Sequence, residues 1–196
     1  MHIGVSNGTS FGAWTWATVG RLVDDGSTSL LGDVNGDGKS DLVNITGAAG
    51  SQPGRVHIGL SSGSSFGAWT WMTQDRLVDN NSKNFLGDVN ADGKADFVSI
   101  AGPGSTQPGR PYVGLSKGSS FETWTWYRAA RLVDDDSVSF VADAGGDSRA
   151  DLVNVTGPTG NIPGKVHIGL GKDMASPVAS TNVSHLTSVQ ECGHDG

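Results

Sequence analysis

The sequence predicts an all-β protein made of β-propeller-type blades, each of four short strands and about 55 residues. The 196 residues include 30 Gly and 7 Pro, with many Ser, Thr, Asn and Asp, which indicates frequent turns. Val, Ile, Trp and Phe fall in short clusters between these turns, and the apolar residues show no sustained helical period. The third observation is an internal repeat, which fixes the size of the unit.

Every recognisable motif of the repeat recurs at a step of 55 residues. The RLVD, WTW, PG and VHIG-type segments share this step with the first aspartate of an acidic loop. The recurring positions are Asp33, Asp88 and Asp143; Arg21, Arg76 and Arg131; Trp14, Trp69 and Trp124; Pro53, Pro108 and Pro163; and His2, His57, Tyr112 and His167. Comparison within the one chain thus shows which positions the unit requires.

One complete unit contains four predicted strands, at residues 29–34, 41–46, 55–61 and 68–73. An acidic loop joins the first two, and a loop that ends in a Pro-Gly turn joins the second and third. A turn at Ser62 and Gly63 joins the third and fourth. Four short antiparallel strands in sequence are typical of a propeller blade.

The repeat register divides residues 1–171 into a part blade (1–20), two complete blades (21–75 and 76–130) and a last part blade (131–171). Closed propellers typically have about four to eight blades. About three blades therefore predict an incomplete ring, which is an open arc, a ring closed by homo-oligomerisation, or a fragment of a longer chain. In such an arrangement the N-terminal WTW strand could complete the last blade. Residues 172–196 lose the period and are predicted to form an irregular tail, in which Cys192 receives no role.

The acidic loops place oxygen-bearing side chains at positions 1, 3, 5 and 9, with a glycine at position 6 that permits a sharp turn. Ca²⁺ takes six to eight oxygen ligands, and a main-chain carbonyl at position 7 is usual in such loops. The predicted ligands are Asp33, Asn35, Asp37, Lys39 and Asp41 in the first loop and Asp88, Asn90, Asp92, Lys94 and Asp96 in the second, the lysines contributing through their carbonyls. The alternative is that these side chains stabilise turns without a metal.

The third loop departs from this pattern. Gly145 replaces the asparagine at position 3 and Ser148 replaces the glycine at position 6. The ligand positions that remain are Asp143, Asp147, Arg149 at position 7, and Asp151. One side-chain donor fewer and a stiffer turn predict a weak or empty calcium site.

The flanks of the loops exclude other calcium motifs. An EF-hand needs a bidentate glutamate at position 12, where Asn44 and Ser99 stand, and the segments LVNI and FVSI after the loops favour strands rather than helices. Dockerin-type loops are also followed by helix, and cysteine-rich calcium arrays need cysteines that this chain lacks. The remaining context is strand, loop and strand.

The segments LGDVNGDGKSDLVNI and LGDVNADGKADFVSI, with SSGSSFGAWTW and SKGSSFETWTW, resemble FG-GAP or VCBS-type repeats of integrin-like β-propellers. The resemblance covers nearly all of residues 1–171. It implies a propeller whose loops hold Ca²⁺ as a structural brace, commonly in secreted or cell-surface proteins, as lectins, adhesion modules or regions appended to hydrolases. It implies no activity, because these repeats serve many functions.

The charge and hydropathy of the sequence argue against two classes of partner, nucleic acids and membranes. A net charge of -7 argues against nucleic acid, whose binding depends on clustered Lys and Arg. The sequence contains no run of about 18 apolar residues, so it predicts no insertion into a membrane. The first residues lack the pattern of a signal peptide.

No catalytic constellation is recognisable. His2, His57 and His167 recur with Tyr112 in the same strand position, which favours packing over catalysis. The aspartates after each RLV also recur and are predicted to cap turns or pair with the arginines; they are Asp24, Asp25, Asp79, Asp134, Asp135 and Asp136. The sequence therefore predicts that the chain is not an enzyme.

Pairs of tryptophans mark the fourth strand of each unit: Trp14 and Trp16, Trp69 and Trp71, Trp124 and Trp126. Both rings of a pair face one side of their strand, because side chains alternate along a strand. They could pack between blades, or some could stack on sugar rings at blade junctions. The favoured hypothesis is a calcium-braced, non-catalytic module that binds carbohydrate or a cell-surface partner; the alternative is a structural accessory region of a larger secreted hydrolase or surface protein.

Overall fold

The structure, a computed structural model, describes residues 2–13, 15–16, 26–47, 53–67, 70–71, 81–102, 104–122, 126–127, 136–160 and 163–169. These contain thirteen strands and no helix, so none of them forms a helix that could span a bilayer. The strands are β1 (His2–Ile3), β2 (Thr15–Trp16), β3 (Thr28–Gly32), β4 (Asp41–Ile45), β5 (Val56–Gly59), β6 (Thr70–Trp71), β7 (Lys83–Gly87), β8 (Asp96–Ile100), β9 (Pro111–Gly114), β10 (Trp126–Tyr127), β11 (Val138–Ala142), β12 (Asp151–Val155) and β13 (Val166–Gly169).

The strands form separate antiparallel sheets in chain order. The first sheet has the order β3-β4-β5-β6 and the second β7-β8-β9-β10, while the third comprises β11-β12-β13 and an N-terminal sheet pairs β1 with β2. Register repeats with the sequence: Leu30 lies opposite Val43 in the first sheet as Phe85 lies opposite Val98 in the second. The predicted all-β architecture of four-stranded, propeller-type blades is confirmed.

The first strand of the first complete blade ends earlier than its hydrophobic pattern predicts. β3 ends at Gly32, not at residue 34, because the N–H of Val34 turns inward and donates to the carboxylate of Asp41 at 3.0 Å. The described part of the fourth strand, Thr70–Trp71, lies inside the predicted 68–73. The turns predicted at Gly54 and Gly63 are present, since these glycines adopt positive φ of 72° and 91°.

The first and second sheets each pack an apolar face against the next sheet in the chain. The side of a sheet toward the next sheet is called here its trailing face, and the opposite side its leading face. Phe97 and Phe121 of the second sheet's leading face, with ring centroids 5.5 Å apart, pack against the trailing face of the first. Leu152 and Ala150 cover the second sheet's trailing face in the same way. The core is therefore a series of junctions between blades.

Main-chain hydrogen bonds join the blades at one end of these junctions. The N–H of Ala95 donates to the carbonyl of Asp33 at 2.7 Å, and one repeat later the N–H of Ala150 donates to Asp88 at 2.6 Å. The hydroxyl of Ser116 donates to the carbonyl of Val34 at 2.5 Å. The acidic loops therefore lie where consecutive blades are tied together.

Candidate functional site: the acidic loops

The first acidic loop is a cage of carboxylate and amide oxygens around its own N–H groups. The carboxylate of Asp33 accepts from the N–H groups of Gly36, Asp37 and Gly38 at 2.7, 3.1 and 2.7 Å. Asn35 Oδ1 accepts from Asp37 at 3.0 Å, and Asp37 Oδ1 accepts from Lys39 at 2.9 Å. These are Asx-type turns in series, and they curl the loop around the three side chains at positions 1, 3 and 5.

The second loop repeats this arrangement. Asp88 accepts from Asp92 and Gly93 at 3.1 and 2.8 Å, Asn90 accepts from Asp92 at 3.0 Å, and Asp92 accepts from Lys94 at 2.9 Å. The glycines at position 6, Gly38 and Gly93, both have φ of 83°. Two loops of one geometry confirm that the spacing of the motif specifies the turn.

A lysine ammonium group caps each of these loops. Lys39 Nζ lies 2.9 Å from Asp37 Oδ2, and Lys94 Nζ lies 3.3 Å from Asp92 Oδ2. The hydrogen bonds from the side chain and then the backbone of Lys39 lower the pKa of Asp37 below its ordinary value. The Asp37 carboxylate is therefore ionised at neutral pH.

The aspartate at position 9 ties the loop to a different part of the blade. Asp41 is completely buried, and its two carboxylate oxygens accept from the N–H groups of Val34 and Ser61 at 3.0 and 2.7 Å. Asp96 does the same with Val89 and Ser116 at 3.0 and 2.8 Å. Each carboxylate joins the start of the acidic loop to the end of the third strand, so position 9 serves the fold directly.

Burial of the second of these carboxylates alters its titration. Burial raises the pKa of Asp96 to about 6, while the hydrogen bonds from Ser116 and Val89 act in the opposite direction. The negative charges of Asp92 and Asp88 raise the pKa further. A divalent cation in this loop would offset that repulsion.

The third loop keeps the fold of the others with a non-glycine residue at position 6. Asp143 accepts from Gly146, Asp147 and Ser148 at 2.6, 3.2 and 2.9 Å, while one oxygen of Asp151 accepts from both Ala144 and Gly145. Ser148 stands at position 6 with φ of 66°, a conformation that costs a non-glycine residue about 1 kcal/mol. Arg149 donates its N–H to Asp147 at 3.1 Å, as the lysines at position 7 do in the other loops.

The chemistry of the donor set fits Ca²⁺. Positions 1, 3, 5 and 9 of the first two loops present carboxylate and amide oxygens alone, and a carboxylate that accepts two or three N–H groups retains lone pairs for a cation. In the part of the chain that the structure describes, no three His, Cys, Asp or Glu side chains converge as a metal-binding group. A cation in the first loop would therefore need Asn35 and main-chain carbonyls as ligands besides the carboxylates.

The other residues singled out from the sequence are dispersed. His57 Nε2 lies 3.2 Å from Thr46 Oγ1, and the Tyr112 hydroxyl donates to Gln107 Oε1 at 2.6 Å, whereas His2 and His167 are exposed. Asp136 accepts a hydrogen bond from the Thr159 hydroxyl across a loop. The repeated arginines and the remaining aspartates after RLV lie outside the described residues.

The tryptophans that the structure describes lie on the fourth strands. Trp16, Trp71 and Trp126 belong to β2, β6 and β10, and Trp71 lies opposite His57 in the register of the first sheet. Trp14, Trp69 and Trp124 lie outside the described residues. Three of the six tryptophans predicted for sugar stacking thus lie on the fourth strands β2, β6 and β10.

Comparison with solved structures places this fold beside known proteins. A lectin of Agrocybe aegerita that specifically recognises non-reducing terminal N-acetylglucosamine matches 86% of this chain with a TM-score of 0.55 and 20% identity. The crystal structures of TcdB2-TccC3-Cdc42 and of TcdB2-TccC3 without its hypervariable C-terminal region match 77% and 88% of the chain, with TM-scores of 0.56 and 0.57 and identities of 20% and 19%. No family model matches the chain, and no curated protein matches its sequence.

These likenesses show a shared fold. The chain spans 46% of the lectin and 7% of each TcdB2-TccC3 chain. One of the three proteins is a carbohydrate-recognising lectin, so the architecture found here is one that a lectin uses.

One element of the site was not predicted from the sequence, namely the N–H groups that hold the position-9 carboxylates. Ser61 and Ser116 each donate one of the two bonds to their carboxylate, and each stands immediately after the apolar part of a third strand. The signal was present, because the SSGSS and SKGSS segments recur at the repeat step of 55 residues. It was interpreted as a turn alone, since a main-chain donor has no residue signature.

Proposed function

We propose that the chain is a non-catalytic carbohydrate-recognition module whose blades are braced by Ca²⁺ in the acidic loops. The observation that carries the proposal is the likeness of 86% of the chain to a lectin that recognises terminal N-acetylglucosamine. The resemblance of the repeats to FG-GAP or VCBS-type repeats supports the calcium part, as does the oxygen donor set. A secreted or cell-surface location accords with this role, because glycans are displayed there.

The positions of the residues support separate roles for calcium and for the tryptophans in this proposal. The acidic loops sit at the hydrogen bonds that join consecutive blades, so a cation held by Asp33, Asn35, Asp37, Asp41 and the Lys39 carbonyl would fix one blade against the next. Ca²⁺ supplies charge neutralisation there and no reaction step. Sugar binding is assigned to the tryptophans of the fourth strands, because an aromatic face is the usual apolar platform for a sugar ring.

Glycan binding should depend on these tryptophans. Isothermal titration with a glycan that ends in N-acetylglucosamine is expected to show binding, and truncation of Trp71 or Trp126 to alanine is expected to weaken it about tenfold, since aromatic anchors dominate such interfaces. Phe11→Ala is the matched control, because Phe11 is an exposed aromatic outside the WTW segments. Absence of binding to this glycan and across a glycan array would overturn the carbohydrate part of the proposal.

Calcium should stabilise the folded chain through the first two loops. At a concentration ten times the dissociation constant, Ca²⁺ is expected to raise the melting temperature by about 6 to 11 °C over the value in EDTA, because a ligand bound to the folded state alone stabilises it by about 1.4 kcal/mol at each of the two sites. Asp33→Asn and Asp88→Asn should each reduce the shift. Asp143→Asn, in the loop that lacks a position-3 donor, is the control and should leave it unchanged. Equal melting temperatures in Ca²⁺ and EDTA would contradict the brace.

A further inference from the structure

The trailing face of the third sheet is apolar and open. Val138 and Phe140 on β11 and Val166 and Ile168 on β13 are each 50% to 55% exposed. All four lie on one side of the sheet, because Phe140 and Ile168 both pair with Val153, while Val138 and Val166 both pair with Val155. Four large apolar side chains on one flat face are more than scattered exposure explains.

The same chain shows twice what covers such a face. Leu30, Val56 and Ile58 of the first sheet are the equivalents of Phe140, Val166 and Ile168. Val56 and Ile58 are buried beneath the leading face of the second sheet together with Val43 and Ile45, and Leu30 is partly buried there. The second sheet's trailing face is buried beneath the third in the same manner. The surface that covers a trailing face is thus another blade of this repeat in both cases. The trailing face of the third sheet is the next equivalent face.

The covering side can be named by residue. Leu30 of the first sheet shares a core cluster with Leu86 of the second, and one repeat later Phe85 shares a cluster with Val141 of the third. Phe140 of the third sheet is the repeat equivalent of Leu30 and Phe85. Leu31 of the first sheet is the repeat equivalent of Leu86 and Val141. Leu31 is 64% exposed, whereas its two equivalents are partly buried in the clusters.

A second residue on the same side is less buried than its equivalent. Phe121 is 2% exposed, because it packs against the trailing face of the first sheet, whereas its equivalent in the first blade, Phe66, is only partly buried. Leu31 and Phe66 therefore mark a leading side of the first blade that is more open than that of the second. The chain carries both halves of a blade junction, one at each end of its stack.

We propose that the trailing face of the third sheet binds the open leading side of a second copy of this chain, head to tail, with Leu31 of one copy beside Phe140 of the other. Two such contacts between two copies bring six three- or four-stranded sheets into one ring, within the range of about four to eight blades that closed propellers have. The contact is heterologous, since the two surfaces are different, and a ring of two copies closes it without an open end.

Sedimentation velocity of the 196-residue chain over a range of concentrations tests this contact. The expected result is a species of twice the monomer mass that forms as concentration rises. Phe140→Lys and Leu31→Glu should each leave a monomer, because each places a charge in the apolar junction. Both side chains are more than half exposed in one copy, so circular dichroism should show that both variants remain folded.

Mixing the two variants separates a head-to-tail contact from other modes of association. An equimolar mixture of Phe140→Lys and Leu31→Glu should recover the dimer mass, because one junction is then wild type and the other pairs the lysine with the glutamate. Ser64→Lys and Ser64→Glu, in an exposed turn outside both surfaces, are the matched controls and should dimerise as the wild type does. A monomer at every concentration would overturn the proposal. So would association that Phe140→Lys abolishes and Leu31→Glu does not, because that result indicates a symmetric contact between third sheets or a different occupant.

Discussion

Asp96→Asn is expected to lower the free energy of unfolding by about 3 kcal/mol at pH 7 in EDTA. The two oxygens of the buried Asp96 carboxylate accept from the N–H groups of Val89 and Ser116 at 3.0 and 2.8 Å. An asparagine side chain has one acceptor oxygen, so its NH₂ group would face one of these donors and leave it unpaired. A buried N–H without a partner costs about 1 to 3 kcal/mol, in addition to the loss of a hydrogen bond to a charged group.

Asp92→Asn provides the control for this substitution in the same loop. Asp92 is partly exposed, and its Oδ1 accepts from the Lys94 N–H, a bond that an amide oxygen can also accept. The expected loss in EDTA is below about 0.5 kcal/mol. Urea unfolding in EDTA measures both variants without any contribution from calcium. Equal losses would contradict the structural role assigned to position 9.

The loss at Asp96 should also depend on pH. The folded chain has an Asp96 pKa of about 6, above the value of 3.8 for a free aspartate, so it binds the proton more tightly than the unfolded chain does. This contribution to stability is fully present below pH 3.8 and is lost as the pH rises through 6. The substitution removes it, so the difference between wild type and Asp96→Asn should be greater at pH 4 than at pH 7. A constant difference would show that Asp96 titrates at its ordinary value.

Position 9 also shows where sequence reasoning succeeded and where it stopped. The alternation of oxygen-bearing residues predicted the loop, and the repeated Gly38 and Gly93 predicted its turn, because φ near 83° is a local property. Whether Asp41 points to the loop centre or to Ser61 depends on a main-chain group twenty residues away. A main-chain N–H group is present at every residue other than proline, so the sequence does not show which one binds the carboxylate.

Polar pairs between the first and second strands were missed for a related reason. Asn44 Nδ2 donates to Ser29 Oγ at 3.1 Å, and Asn154 Nδ2 donates to Ser139 Oγ at 3.1 Å. In the second sheet the two residue types exchange places, as Asn84 lies opposite Ser99. When Asn and Ser exchange places between two paired positions, the exchange indicates that the two positions are in contact. Either position considered alone shows only a polar residue that varies between the repeats.

Gly87 tests the spacing of the blades, because the second and third sheets meet closely beside it. A methyl group at Gly87 would lie 2.6 Å from Val141 Cγ1 and 2.8 Å from Ala150 Cβ, both in the third blade. At the equivalent Gly32 the nearest atoms would be 3.0 and 3.2 Å away, and one of them is the end of the flexible Leu86 side chain. In the third blade the position is Ala142, which is exposed. Glycine thus occupies this position in the first and second blades, and in both of them the following blade covers the trailing face.

Gly87→Ala is therefore expected to lower the free energy of unfolding by about 3 kcal/mol, at the upper end of the cost of overpacking a core, because the third blade must move away to admit the methyl group. Gly32→Ala should cost less. Gly104→Ala is the control, since nothing lies within 4 Å of a methyl group there and the effect should be small or stabilising. Urea unfolding of the three variants gives the comparison.

A double-mutant cycle identifies the contact that causes the loss at Gly87. Val141→Ala removes the atom that the new methyl group would meet first, so the double variant Gly87→Ala, Val141→Ala should be more stable than the sum of the single losses predicts. Val141 packs in the cluster between these sheets, and its truncation alone should therefore be destabilising. Strict additivity of the two losses would show that Gly87 acts through its own strand rather than through the junction, and close packing between consecutive blades would no longer explain why glycine recurs at residues 32 and 87.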